Sequence, residues 1–230
     1  MKINIMYTFV CFVFLISNSC AQSKRGEVVT VKRDVNAFNK IHVDGNVEIS
    51  YSQDLSYNLE LEATSKDLET ITAIVKDSML VITKKGQSSP HDKHQKSIIR
   101  ISSPEITELV LSNAAHFQSS VLSVRDFTLL SADGSDIKID QLKADNNCKM
   151  IFSGGVDCEI KKMSVPDLTV ECAKACDILL RELSIQNIML IASGGTDVVL
   201  QGETDKITIH AGSGSDICIK DLKYNDLVKK

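Results

Sequence analysis

The sequence contains no tryptophan, and its aromatic residues are limited to seven Phe and four Tyr. This scarcity argues against an aromatic platform on which sugars or bases could stack. Strong charge is also missing, since 26 basic and 30 acidic residues leave a formal net charge of −4. No basic patch interleaved with aromatic residues occurs. Nucleic acid is therefore not an expected partner.

Catalytic arrangements are missing as well. The order of residues shows no Ser/His/Asp or Cys/His pattern of the kind that activates a nucleophile. Within the repeated part of the chain arginine occurs only at Arg125 and Arg181, and neither neighbours a cluster of acids. The sequence therefore predicts a noncatalytic protein. A carbohydrate-active β-helix, lyase-like or hydrolase-like, is the alternative.

A membrane-spanning apolar run is not found either. Ile3 to Ile16 is mostly apolar with Lys2 as the nearest charge, which is too short for a comfortable span and typical of a signal peptide. We predict a lipoprotein-type signal over residues 1–20, lipidation at Cys20 and a polar tether over residues 21–30. Ordinary signal peptidase cleavage after Ala21 is the competing interpretation.

Export to the bacterial cell envelope follows from either cleavage. The lipidated form predicts a protein anchored in the outer membrane and facing the periplasm. The other form predicts a soluble periplasmic or secreted protein.

The strongest positive feature is a repeat. Five short segments share an Asp followed by alternating apolar residues, and their aspartates recur after 21, 20, 20 and 19 residues. A fixed period of this size is typical of a solenoid. An earlier, degenerate copy has His116 in the Asp position. The aspartates are Asp136, Asp157, Asp177, Asp197 and Asp216.

Apolar residues within each copy are two apart, which is the strand period. Each copy is expected to hold two short strands joined by a turn rich in Ser, Gly and Ala. The same apolar positions recur in every copy. The position three residues after the Asp, for example, is occupied in the five copies by Ile139, Ile160, Leu180, Leu200 and Ile219. The pattern predicts an all-β protein, a right-handed parallel β-helix with about 20 residues per coil. A leucine-rich repeat has the same period but needs a helical or 3₁₀ arm.

The N-terminal half also alternates, from Val31 through Ile101, with Pro104 before the coils. No linker-like stretch separates this region from the repeats. We predict a single β-helical domain over residues 31–228, with regular coils over residues 107–222. The N-terminal strands are expected to pack on the helix or to continue it.

Three segments resemble a known family: Phe38 to Ile49, Lys76 to Ile82 and the Ser-Gly-x-x-Asp turns of the coils. They are similar to the putative autotransporter adhesin head domain, or GIN domain, of Bacteroidetes envelope proteins. The resemblance covers roughly residues 30–222. It implies a β-helical, exported protein, frequently a lipoprotein, and it carries no catalytic residues.

The aspartate column is the first candidate site. Carboxylates in adjacent coils, about 4.8 Å apart, repel by roughly 1 kcal/mol in water. The column is therefore expected to be solvated, hydrogen-bonded to turn amides or bridged by cations. Calcium is the cation considered, although the calcium nonapeptide needs a nine-residue period. We predict no other metal site and no cofactor.

A second candidate site is an outward position that is apolar in most coils. An apolar outward strip usually marks a contact surface. Either N-terminal strands cover the strip, or it binds a protein or glycan partner, with a homodimer as the leading intermolecular form. The strip residues are Val110, Leu130, Ile151 and Ile191.

Overall fold

The protein, described by a computed structural model over residues 27–86 and 96–230, is built almost wholly of strands. Alternating burial along each segment matches the alternating apolar residues of the sequence. The elements are β1 (Val28–Arg33), β2 (Lys40–Asp44), β3 (Glu48–Gln53), β4 (Asn58–Thr64), α1 (Ser65–Thr70), β5 (Ile71–Lys76), β6 (Met79–Lys84), β7 (Ile98–Ser103), β8 (Glu108–Ser112), β9 (His116–Val124), β10 (Phe127–Ala132), β11 (Asp136–Ala144), β12 (Asn147–Ser153), β13 (Asp157–Ala173), β14 (Asp177–Ser193), β15 (Thr196–Ala211), β16 (Ser215–Cys218) and β17 (Leu222–Lys229).

Each coil of the regular part has three sides, not the two strands expected from the sequence. In β13 the in–out alternation is interrupted at Lys161–Lys162 and again at Pro166–Asp167, where two neighbouring residues point outward. Such interruptions change which face of the chain is buried, so they mark corners. A Ser/Gly/Ala-rich turn makes the third corner. We call residues 127–132 and their equivalents side one, 136–139 side two and 142–144 side three.

Successive coils stack in parallel register. Ile139 pairs with Ile160, Ile160 with Leu180, and Leu180 with Leu200. These four side chains are at most 1% exposed, and Ile219 packs partly buried against the same core. The coils bury one continuous interior, and the predicted parallel β-helix is confirmed as a β-solenoid of about six turns.

One interior position departs from the alignment by sequence, in which Glu203 is the residue equivalent to Leu183. Gly202, not Glu203, lies opposite Leu183 and Leu222, because the register shifts between Leu180 and Leu183. The Gly202 backbone has φ 129°, and a Cβ atom there would lie 2.3 Å from the backbone nitrogen of Leu183. Glycine is therefore required where the coil is one residue shorter.

The N-terminal strands continue the solenoid but stack out of chain order. The coil formed by β2 and β3 lies between the coil of β6 and β7 and the coil of β8 and β9. Beyond β6 and β7 the pairing becomes antiparallel, with β5 on β6, β4 on β7 and β1 on β4. Antiparallel strands thus close one end of the parallel stack.

A buried lysine joins the parts of this closing layer. The Lys84 ammonium is 4% exposed, lies 3.4 Å from the Asp67 carboxylate of α1 and donates to the Ser97 hydroxyl. Thr64 caps α1 by accepting from the Asp67 backbone N–H at 3.1 Å. Lys84 therefore joins α1 to the end of β6 and to the residue just before β7.

Candidate functional site

The aspartates stack in a single column on side two. Asp136, Asp157, Asp177, Asp197 and Asp216 pair in succession from coil to coil. His116 and then Glu48 extend the same column toward the N-terminal end. Five carboxylates in a row are therefore followed by an imidazole and a sixth carboxylate.

Basic side chains meet this column at its N-terminal end. Asp136 lies 3.5 Å from the His116 Nδ1 atom and 3.2 Å from the Lys138 ammonium, and Lys96 lies 3.3 Å from Glu48. Partial burial, followed by repulsion from Asp177 and Asp136, raises the pKa of the Asp157 carboxyl. The aspartates from Asp157 onward are largely exposed to solvent, and each lies beside another carboxylate in a neighbouring coil.

In three of the five coils the residue before the aspartate, and not the aspartate, closes the turn. The Ser135 and Ser215 hydroxyls donate to the carbonyl oxygens of Ala132 and Gly212, at 2.7 and 2.8 Å. The thiol of Cys176 makes the same contact with Ala173 at 3.2 Å. In the described ranges no group of three or more His, Cys, Asp or Glu side chains is arranged to hold a metal ion. Calcium at the column stays a prediction.

The apolar strip lies open on side one. Val110, Leu130 and Ile151 pair in succession, and the same position continues through Glu171 to Ile191. The N-terminal strands do not cover the strip, as one interpretation of the sequence expected; they lengthen it through His42, Val81 and Ile74. Ile191 is 40% and Ile74 is 54% exposed, whereas Val110, Leu130 and Ile151 are half-buried.

Small and neutral groups border the strip on one edge, whereas the other edge carries the Lys40–Glu108 ion pair and Lys149. The next outward position is Ser112, Ala132, Ser153, Ala173 and Ser193 along the stack. Glu171, the carboxylate within the strip, lies 3.1 Å from the Lys149 ammonium on the same side. The charge in the middle of the strip is therefore balanced locally.

Cysteine thiols fill interior positions. Cys148, Cys158, Cys172 and Cys176 are buried free thiols, and Cys218 is exposed. Burial raises the pKa of Cys148 and Cys158, and burial followed by the neighbouring Cys176 raises that of Cys172 to about 11. They behave as small hydrophobic residues.

Some predicted residues lie outside the described part of the chain, namely the signal over residues 1–20 with Cys20. In the part that is described, no helix is both long and apolar enough to cross a bilayer.

A groove on side three was missed from the sequence. It has a volume of about 540 Å³ and crosses four coils, from Ser164 to Asn225. The side chains along it form no repeat over the four coils, because only Ser164 and Ser184 are alike at equivalent positions and the other polar residues differ from coil to coil. Exposed polar positions with no period give no signal in a repeat alignment.

Comparison with known proteins is consistent with this architecture. Residues 37–150 match the family described as "Putative auto-transporter adhesin, head GIN domain". No curated protein matches the chain.

Three solved structures share the fold at low sequence identity. A putative adhesin from Bacteroides fragilis gives a TM-score of 0.68 at 17% identity over 88% of this chain and 96% of that one. A putative lipid binding protein from Parabacteroides distasonis gives 0.62 at 13% identity over 88% and 96%. A putative adhesin from Parabacteroides merdae gives 0.57 at 17% identity over 89% and 96%.

Proposed function

Since residues 37–150 match the family of putative auto-transporter adhesin head GIN domains, we propose that the chain is a noncatalytic, exported binding module of the cell envelope. The observation that carries this proposal is the open apolar strip on side one. Solved relatives titled putative adhesins support the adhesin-like role. The fold supplies a rigid face, because every strand of it is paired and backed by one core.

The partner that best fits side one is a second copy of the chain. Side one comprises ten strands, from β5 through β6, β2, β8, β10 and β12 to the last parts of β13, β14, β15 and β17. Strands about 4.8 Å apart and about six residues long give a face of roughly 850 Å². A standard interface buries about 800 Å² on each partner.

The composition of the face agrees with self-association. A twofold axis places the strip of one copy against the strip of the other, so apolar groups meet apolar groups. The Ser and Ala residues beside it allow close approach, and the balanced Glu171 carries no uncompensated charge into the contact.

Sedimentation of the chain without residues 1–20, the predicted signal, tests the proposed dimer. We expect a dimer that dissociates on dilution, and a monomer for the double variant Leu130→Lys with Ile151→Lys. Val121→Lys is the control, since Val121 is 47% exposed but lies away from side one. A wild-type monomer at about 0.1 mM, or a dimer in the double variant, would contradict the proposed interface.

Envelope attachment through Cys20 is the second part of the proposal. The apolar run before Cys20 supports export in either form. We expect the mass of the mature protein to show a diacylglycerol-modified Cys20, and Cys20→Ala to release the protein from the membrane fraction. A mature N-terminus at Gln22 would contradict lipidation and leave a soluble exported protein.

A further inference from the structure

The side-three groove has two polar walls that run along the solenoid axis. Ser184, Glu203 and Lys223 stack in one column and form one wall. Gln186, Asp205 and Asn225 stand on the other, just beyond the inward position of each coil. Like positions of neighbouring coils are about 4.8 Å apart, so each wall repeats along the groove.

The walls offer hydrogen-bond donors and acceptors in alternation. Lys223 contacts the Glu203 carboxylate at 2.8 Å, and the Asn225 amide donates to the Asp205 carboxylate at 3.1 Å. Each pair leaves further lone pairs and N–H groups directed to solvent. The cation of the groove is already matched by a carboxylate, so the lining favours neutral polar ligands over anions.

An aromatic ring lies at one end of the groove. Tyr224 lines it and is 42% exposed. The absence of tryptophan argued against a stacking platform, but a tyrosine ring supplies an apolar face with a polar edge. An apolar face beside planar amides and carboxylates suits the C–H face and the hydroxyl edge of a pyranose.

From this lining we propose that the side-three groove binds a neutral, linear oligosaccharide lying along the solenoid axis. This inference rests on the noncatalytic binding role proposed above and names a ligand class for it. The groove lies on a different side from the strip, so both surfaces are available in one dimer. Four coils line the groove, and the sugar chain is expected to fill it progressively.

Titration calorimetry with neutral hexose oligosaccharides, from disaccharide to hexasaccharide, tests the inference on the chain lacking its N-terminal segment. We expect affinity to rise with length and then level off. Tyr224→Ala should weaken binding about tenfold, because it removes the stacking face. Asp205→Ala should weaken it by a similar factor, because it removes the acceptor beside Asn225.

Asp140→Ala is the matched control. Asp140 is a carboxylate paired with Lys161 at 2.7 Å at the corner between sides two and three, and it does not line the groove, so its loss should leave oligosaccharide binding unchanged. Circular dichroism and melting establish that each variant folds, and Tyr224→Phe, which keeps the ring, should retain most of the affinity.

The inference is overturned if no oligosaccharide binds at about 10 mM, if acidic uronate oligomers bind better than neutral ones, or if Tyr224→Ala and Asp140→Ala behave alike. These results are separate from the dimer test. A monomer that binds the hexasaccharide would contradict the proposed interface and support the proposed groove. A dimer that binds no oligosaccharide would support the interface and contradict the groove.

Discussion

The two halves of the solenoid are built by different rules. From β8 onward each coil follows its predecessor in sequence and in space, and every residue contacts the residue about 20 positions away. In residues 27–103 the coil of β2 and β3 lies between the coil of β6 and β7 and the later stack, and the outermost strands run antiparallel. The regular half shows how a repeat sets register. The N-terminal half shows how a stack is closed.

The difference predicts which strands lose protection from hydrogen exchange when a core side chain is truncated. Leu180→Ala removes a fully buried side chain between Ile160 and Leu200 and should lower the free energy of unfolding by about 3–5 kcal/mol. Because a coil contacts only its neighbours, hydrogen exchange should rise first in β13, β14 and β15. Leu61→Ala, in the closing layer, should instead release β1 and β7.

An equal rise in exchange across all strands for both variants would contradict this comparison. The solenoid would then unfold as one cooperative unit, and the out-of-order stacking of β2 and β3 would join the halves as tightly as the coils are joined to each other.

Gly202 tests the one irregular coil of the regular half. A methyl group at Gly202 meets the Leu183 backbone at 2.3–2.8 Å, and the backbone has φ 129°. Gly202→Ala should cost about 2–3 kcal/mol of stability. Gly195→Ala is the control, because its φ is 71° but nothing lies within 4 Å of the added atom, and its cost should be about 1 kcal/mol.

Urea denaturation of both glycine variants measures the difference. Equal midpoints would mean that the shortened coil relaxes around the methyl group, and that register after Leu183 is less constrained than the close contact indicates.

What could be predicted follows the same division. The parallel β-helix, the stacked file through Leu180 and the stacking of the five aspartates were predicted correctly, because a repeat places equal residues at equal positions. The third side of each coil was missed, since a corner without glycine, such as Lys161–Lys162, has no turn signal. The position of β2 between β6 and β8 could not be predicted, because it depends on pairing between segments that are distant in the sequence.

The candidate sites divide likewise. The strip through Leu130 was found as a column, whereas its extension through His42 required the stacking order of the N-terminal strands. The groove at Asp205 has no residue repeated through all four coils and was found only from the coordinates.

In the closing layer the Lys84–Asp67 pair should matter more than any exposed pair. Asp67→Asn leaves the Lys84 ammonium, 4% exposed, without its carboxylate, which should cost about 1–2 kcal/mol. Lys143→Met breaks an exposed pair in the regular half and should change stability by less than about 0.5 kcal/mol. Thermal melts of both variants at neutral pH measure this. Equal melting temperatures would show that α1 contributes nothing to closing the stack.

The smallest expected effect concerns the aspartate column. Asp157 has a raised pKa in the folded protein, so folding favours its protonated form. Its stabilising contribution is fully present below the ordinary value of 3.8 and is lost as the pH rises through the raised pKa. Asp157→Asn should therefore stabilise the protein at neutral pH, by less than about 1 kcal/mol because the exposed carboxylate is screened by water.

Urea denaturation at neutral pH and near pH 3 separates charge repulsion from other effects of the substitution. The gain should vanish at the lower pH, where the wild-type carboxyl is protonated in both states. Asp34→Asn, an exposed carboxylate outside the column, should show no such difference. If calcium bridges the column, Asp157→Asn should instead lower the free energy of unfolding in calcium buffer, because the substitution then removes a ligand. The direction of this small change therefore decides between a solvated column and an ion-binding one.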